Sequence, residues 1–242
     1  MGRSIAIGDI HGGLKALIQL LKKIEVTPDD ELIFLGDYVD GWSDSANVVS
    51  YLIEFAKQNT CIFIRGNHDD LTHRWLESGE LNEKWLEHGG QSSIDAYRNF
   101  SSEEIKAHIE FFNQMVNYYV DKKNRLFVHA GFTNQHGPEQ EYHDTGFYWD
   151  RTLWEMALSL DKNIKPDDIN YPKRLRLFDE IFIGHTPVTR INEDVPVKKA
   201  NIWNVDTGAA FMGKLSAIDV NSKEIWQSEP VFKLYPEEEG RN

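Results

Sequence analysis

Through the first third of the chain, short apolar runs alternate with stretches whose apolar residues recur every three or four positions. This is the alternation of buried strand and one-faced helix that βαβ units produce. Ser4 to Ile7 reads as a buried strand. Beyond the Gly12-Gly13 break, Leu14, Leu17, Ile18, Leu21 and Ile24 fall at the i, i+3, i+4, i+7 spacing that lines one face of a helix. Thr27-Pro28-Asp29-Asp30 turns the chain, and Leu32 to Leu35 predicts a second strand. Asp44 to Gln58 predicts a second helix carrying Val48, Val49, Leu52, Ile53 and Ala56, and Cys61 to Ile64 a third strand. From Asp70 to about Tyr118 the pattern is mostly helical, interrupted at Gly89-Gly90, and Leu126 to Val128 returns to strand.

The stretch from Thr133 to about Leu177 breaks this rhythm. It is polar, contains Pro138, Pro166 and Pro172, and has one short helix-like piece around Leu153 to Leu160. It reads as a loop-rich excursion above the scaffold, where specificity residues commonly sit. Strands resume at Ile181 to Ile183 and continue as Ile202 to Val205, Leu215 to Val220 and Glu224 to Trp226, an all-strand finish that suggests a second sheet. No linker, repeat or low-complexity segment divides the chain, so residues 1–242 are expected to form one layered α/β domain, with Glu237 to Asn242 as a solvated charged tail.

Composition narrows the partners. With 26 basic and 39 acidic residues the formal charge is -13, a poor electrostatic match for nucleic-acid backbones or anionic lipid, so neither nucleic acid nor membrane is expected as a partner. The one cysteine, Cys61, excludes an internal disulfide framework and a Cys-rich metal site, and fits a reducing, cytoplasmic location. No apolar run approaches the roughly 18 residues of a membrane span. Gly8 and Asp9 interrupt the Ile5-Ala6-Ile7 run, unlike a signal peptide, and Ala6 stands where a myristoylation pattern needs Ser or Thr.

Five segments share one design, in which a strand-like run ends and Asp, His or Asn follows at once with Gly. They are Gly8-Asp9-Ile10-His11-Gly12, Gly36-Asp37-Tyr38-Val39-Asp40-Gly41, Arg65-Gly66-Asn67-His68-Asp69, Val128-His129-Ala130-Gly131 and Ile183-Gly184-His185-Thr186. Ligands of α/β sheets collect at the carboxyl ends of strands, so these clusters can converge on one site. Carboxylates, imidazoles and an amide without thiolate suit Mn, Fe or Zn, and carry too much imidazole for calcium or magnesium alone. The set is large enough for two metals. If Asp37 bridges, one ion takes Asp9, His11 and Asp37, and the other takes Asp37, Asn67, His129 and His185. Two cations roughly 3.5 to 4 Å apart can lower the pKa of a water and clamp both oxygens of a phosphoryl displacement. His68 with Asp40 then reads as a general acid and its orienting carboxylate.

These segments resemble the Gly-Asp-x-His, Gly-Asp-x-x-Asp, Gly-Asn-His-Asp/Glu, His and Gly-His motifs of the calcineurin-like metallophosphoesterases. More narrowly, they resemble the serine/threonine phosphoprotein phosphatase branch in its small bacterial form, which also includes symmetrical dinucleoside tetraphosphatases. Trp85-Leu86-Glu87-His88-Gly89-Gly90, the passage from Tyr118-Tyr119 to His129-Ala130-Gly131, and Asn204-Val205-Asp206-Thr207-Gly208 extend the likeness over roughly Ser4 to Val220. The resemblance implies two stacked mixed β-sheets flanked by helices, a four-layer sandwich. It also implies two divalent transition-metal ions, manganese before iron or zinc, and direct attack by a metal-bridging hydroxide. Metal roles carry over onto Asp9, His11, Asp37, Asn67, His129 and His185, and proton delivery onto His68 with Asp40.

One departure from the family pattern bears on the substrate. Phosphoprotein phosphatases usually carry Arg-Gly after the second aspartate of Gly-Asp-x-x-Asp, and that arginine binds phosphate; here Gly41 and Trp42 follow Asp40. Trp149-Asp150-Arg151 resembles the Trp-x-Arg segment where small bacterial and phage members place a second phosphate-binding arginine, which makes Arg151 the first candidate substitute and Arg65, beside Asn67-His68, the next. The activity expected is hydrolysis of phosphomonoesters on phosphoprotein Ser/Thr, or Tyr, with a small phosphoester as the other substrate class. The rivals are a symmetrical dinucleoside tetraphosphatase or other nucleotide hydrolase, and a metal-binding regulatory module with weak catalysis. Trp42 is read as either a substrate contact or packing. Asp69 either orients a ligand or caps a turn, and Asn204 and Asp206 either support metal-binding loops or end a strand. His73, His88, His108, His136 and His143 are read as structural or solvated.

Overall fold

The computed structural model describes residues 2–241, which leaves Met1 and Asn242, the last residue of the expected tail, outside the description. In chain order the elements are β1 (Ser4–Ile7), α1 (Leu14–Ile24), β2 (Glu31–Phe34), α2 (Ser45–Ala56), β3 (Thr60–Phe63), α3 (Asn67–Ser78), α4 (Glu83–Trp85), α5 (Gln91–Tyr97), α6 (Ser102–Asn113), β4 (Tyr118–Val120) and β5 (Arg125–Val128). There follow α7 (Gly146–Trp149), α8 (Thr152–Ser159), α9 (Lys173–Arg176), β6 (Glu180–Ile183), β7 (Val197–Lys199), β8 (Ile202–Asn204), β9 (Lys214–Asp219), β10 (Ile225–Pro230) and α10 (Val231–Leu234).

Two mixed five-stranded sheets result, in the orders β10-β9-β1-β2-β3 and β4-β5-β6-β8-β7. The first has β1, β2 and β3 parallel, β9 antiparallel to β1 and β10 antiparallel to β9; the second has β5, β6 and β8 parallel with β4 and β7 antiparallel at its edges. Side chains alternate across each strand and sort into layers. Ile5 and Ile7 of β1, with Leu32 and Phe34 of β2, pack outward against α1 and α2, while Ala6 and Ile33 face inward. In the second sheet Leu126, Val128, Ile181 and Ile183 pack against α7, α8 and α9, and Phe127 and Phe182 face inward. The inward rows meet as the layer between the sheets, which explains the near-continuous apolar runs: both faces of these strands are buried. Each such aliphatic side chain removed from water contributes about 1.5–3 kcal/mol. The expected α/β class and stacked mixed sheets flanked by helices describe this chain.

Several local expectations shift. The all-strand finish divides between the sheets, because β6 and β8 join the second while β9 and β10 return to extend the first beside β1. Tyr118–Val120, at the end of a helical pattern, is a strand pairing with β5, and the edge strand Val197–Lys199 lies in polar sequence. Ile18, at the margin of the α1 stripe, is 38% exposed. The excursion after β5 holds α7, α8 and α9 between loops.

Candidate metal centre

The parallel strands of both sheets end toward one place. β1 is followed by Asp9 and His11, β2 by Asp37 and Asp40, β3 by Asn67 and His68 at the start of α3, β5 by His129 and β6 by His185. Asp69, in the first turn of α3, ties two of these loops together: its carboxylate accepts from the amides of Asp37 and Tyr38 at 2.8 Å each, and from Gly66 at 2.8 Å. Asn204 accepts from the amide of Asp206 and donates to the carbonyl of Thr186, bracing the loop that carries His185.

Asp37 is the hub. Its Oδ2 lies 3.5 Å from His11 Nε2 and 3.4 Å from His129 Nε2, and its Oδ1 accepts from the His68 amide at 2.9 Å. Asn67 Oδ1 lies 3.2 Å from His129 Nε2 and 2.9 Å from His185 Nδ1. Asp9 Oδ2 accepts from the His185 amide at 2.9 Å and lies 4.0 Å from His11 Nε2. The other ring nitrogens are anchored, His129 Nδ1 donating to the Leu35 carbonyl at 2.7 Å and His11 Nδ1 facing the carbonyls of Val39 and Asp40. Such anchoring leaves the Nε2 lone pairs to face a cation.

Among the described residues, two groups bring donor atoms within 4.8 Å of one another: His11, Asp37 and His68, and Asp37, His129 and His185. Asp37 is common to both, the arrangement a shared ligand between two ions requires. Asp9 Oδ1 is buried without a hydrogen-bond partner, a costly state for a carboxylate oxygen unless a cation takes it. The side chains present therefore fit a pair of divalent ions. Gly184 fits the same picture, because a Cβ there would stand 2.0 Å from Asp9 Oδ1.

Burial and the close packing of charges shift most groups of the cluster away from their ordinary ranges. Burial, then the neighbouring Asp206, pushes the Asp9 carboxyl well above its ordinary range. Burial also acts to raise Asp37, but His129, His68 and His11 outweigh it and hold that carboxyl well below the usual range. His129 is buried too, yet Asp37 lifts it to about 10. Burial pushes His11 down, with Arg241 adding to the effect, and burial with His129 does the same to His185, so both rings stay neutral and able to ligate.

Beside the cluster, His68 Nδ1 donates to Asp40 Oδ2 at 2.7 Å. Asp40 is fully buried and also accepts from Trp85 Nε1 at 2.6 Å, Ser93 Oγ at 2.5 Å and Thr72 Oγ1 at 3.2 Å. Four donors fix the carboxylate, which fixes the ring and leaves His68 Nε2 for the cavity. That cavity, of about 560 Å³, has His11, Asp37, Asn67, His68 and His185 on its floor and Arg151, Arg190, Arg241, Trp149 and Phe211 among its walls.

A family model for calcineurin-like phosphoesterases matches residues 2–208. The chain belongs to this family. Among curated relatives it is similar to the asymmetrical bis(5'-nucleosyl)-tetraphosphatase PrpE of Oceanobacillus iheyensis, 28% identical over 233 residues that cover 90% of this chain and 89% of the relative. It is likewise similar to the Bacillus cereus protein of that name, 27% identical with 96% of each chain covered. Two solved structures share the fold. One is provisionally named a diadenosine tetraphosphatase (TM-score 0.63, 19% identity, covering 93% of this chain and 92% of that one). The other is a serine/threonine phosphatase from Saccharomyces cerevisiae (TM-score 0.60, 16% identity, covering 94% and 80%).

The phosphoesterase fold brings Asp9, His11, Asp37, Asn67, His129 and His185 together and sets His68 and Asp40 beside them. Arg151 reaches the cavity, its Nε 3.3 Å from His185 Nε2. Arg65 does not. Its guanidinium turns to His73 Nδ1 at 3.2 Å and to the Phe112 carbonyl, which ties α3 to α6 and keeps it apart from the cavity lining. Trp42 is packing, buried with Nε1 donating to the Ala209 carbonyl at 2.7 Å and its ring stacked on Tyr235. Sequence reasoning missed Trp85 and Ser93 as partners of Asp40, although Trp85 opens a family-like segment. It also missed His88, Arg190 and Arg241 on the cavity wall. His108 is structural, lodged between Ser50 and Tyr97.

Proposed function

We propose that this phosphoesterase is a metal-dependent hydrolase of dinucleoside tetraphosphates. The observation that carries the reading is the cavity: a floor of metal-type donors continues into walls bearing Arg151 and Arg190 together with the aromatic faces of Trp149 and Phe211. One monoester phosphate needs little beyond the floor. A phosphate chain ending in a flat base uses the whole cavity, with guanidinium groups on phosphates and an aromatic face on the base. The names of the curated relatives support the same substrate class and cleavage into unequal products.

Asp9, His11, Asp37, Asn67, His129 and His185 would hold two divalent ions, with manganese, iron and zinc all suited to this donor set. Bound there, such ions supply an activated water and neutralise phosphate charge. The chain's own residues do the rest. Arg151 binds phosphate oxygens on the His185 side. His68, its Nδ1 proton held by Asp40, presents Nε2 to the oxygen that departs as the P–O bond breaks, and protonates it when that oxygen is a poor leaving group. The phosphoprotein reading draws on the motif resemblance to the phosphoprotein phosphatase branch and on fold similarity, and the cytoplasmic location on the single cysteine.

A panel of diadenosine tetraphosphate, a phosphoserine peptide and a mononucleotide, assayed with manganese, tests the substrate. The tetraphosphate is expected to have the highest kcat/KM, and a phosphopeptide that outranks it would restore the phosphoprotein reading.

A further inference from the structure

We propose that Arg241 is a substrate-phosphate ligand of this site, brought by the tail to the space beside Asp40 that Gly41 leaves open; the inference rests on the phosphoesterase reading above. Gly41 has φ +115°, which side-chain-bearing residues rarely adopt, and a Cβ there would lie 3.2 Å from Arg241 Cγ. A Cβ at Gly89, across the slot, would lie 3.0 Å from the same atom. The aliphatic part of Arg241 thus runs between two positions without side chains.

The segment before Arg241 is docked through Tyr235 and Glu238, while Glu237 and Glu239 are exposed as expected of a charged tail. The Tyr235 ring stacks on Trp42, and its hydroxyl donates to Asp44 at 2.7 Å. Glu238 accepts from the Ser43 amide at 2.9 Å and the Ser43 hydroxyl at 2.7 Å, and the Arg241 amide donates to the Ala210 carbonyl at 2.9 Å. These contacts hold the side chain at the cavity mouth, where its guanidinium lies 5.4 Å from the Phe211 ring centre.

Arg241 Nη1 stands 3.4 Å from His11 Nε2, which is 3.5 Å from the central Asp37 Oδ2. Arg241 Nε is buried without a hydrogen-bond partner among the described residues. A guanidinium carries five N–H donors and no acceptor, so most of this group's capacity is unspent, and its fork matches two oxygens of one phosphate. Arg151 approaches His185, the opposite flank of the cluster, at 3.3 Å. The two arginines bracket the position in which a phosphate would sit against the ions.

Titration calorimetry of the metal-loaded protein with orthophosphate, with metal content and melting temperature measured alongside, tests this. Arg241→Ala is expected to weaken phosphate binding about 10- to 100-fold and to raise KM for diadenosine tetraphosphate more than it lowers kcat, at unchanged metal content. Arg241→Lys, which keeps the charge without the fork, should recover part of the affinity. Phosphate affinity equal to wild type in Arg241→Ala overturns the inference while leaving the proposed function standing. So does a loss of metal that parallels the loss of phosphate, since the tail would then only brace His11. A metal-loaded wild type that neither binds phosphate nor cleaves the tetraphosphate overturns both.

Discussion

Four residues around the cluster, His11, Asp37, Asp40 and His185, have φ of 50°, 53°, 66° and 68°, the left-handed region that residues with side chains enter at a cost of order 1–3 kcal/mol each. The strain is concentrated where side chains must aim inward from the tops of strands. His68 is different, because it sits in the first turn of a helix and is aimed by Asp40. His68→Ala should therefore keep its metals and lose about 10²- to 10⁴-fold in kcat on phosphate esters with poor leaving groups, and much less on an aryl phosphate. Loss of metal, shown by elemental analysis, would make it a ligand instead, as its place in the His11 and Asp37 group allows. Away from the site, hydrogen bonding by Arg3 outweighs burial and holds the Asp30 carboxyl well below its ordinary range, through a contact of 2.6 Å. A depressed folded-state pKa gives stability that is present above about pH 4 and lost as pH falls toward the folded value. Asp30→Asn should cost about 1–3 kcal/mol near pH 7, with the gap to wild type closing in urea melts below about pH 4. A gap independent of pH would contradict the ion-pair account.

Strand ends set the geometry of the centre, and their spacing leaves no room to spare. Ala at position 184 would place its Cβ 2.0 Å from Asp9 Oδ1 and 3.1 Å from Asp9 Cγ. Gly184→Ala should displace that carboxylate and lower bound metal by about one ion per chain, read by elemental analysis, with the far-ultraviolet circular dichroism retained. Full metal content would remove Asp9 from the ligand set. The strands that carry the centre were legible because β1, β2, β5 and β6 are buried on both faces, so their apolar runs end abruptly where a polar loop begins. Tyr118–Val120 and Val197–Lys199 were not, since each is three residues long, lies at an edge of the second sheet and owes its strand to pairing with the strand that follows it. Arg65 misled for a related reason: adjacency to Asn67 and His68 says nothing about which way a side chain leaves the strand, and this one leaves toward His73.

Taken as a whole, the molecule carries a formal charge of -13 and yet gathers Arg151, Arg190 and Arg241 at one cavity above buried carboxylates and imidazoles. Divalent ions on that floor would make a local positive site in an acidic protein, so net charge limits polyanionic surfaces as partners without excluding a small phosphate ligand. The contribution of Arg241 could not be read from sequence, because 230 positions separate it from His11 and only the docking of the tail on Trp42 brings them together. Cys61 is simpler: burial pushes its thiol up to about 12, which suits a strand residue packed on the core and not a nucleophile. The central claim, that this architecture cleaves the phosphate chain of a dinucleoside tetraphosphate, is tested most directly by chromatography of the products formed from diadenosine tetraphosphate by the manganese-loaded protein. ATP and AMP in equal amounts are expected. An intact tetraphosphate, under conditions where the same protein releases phosphate from a phosphopeptide, would contradict it.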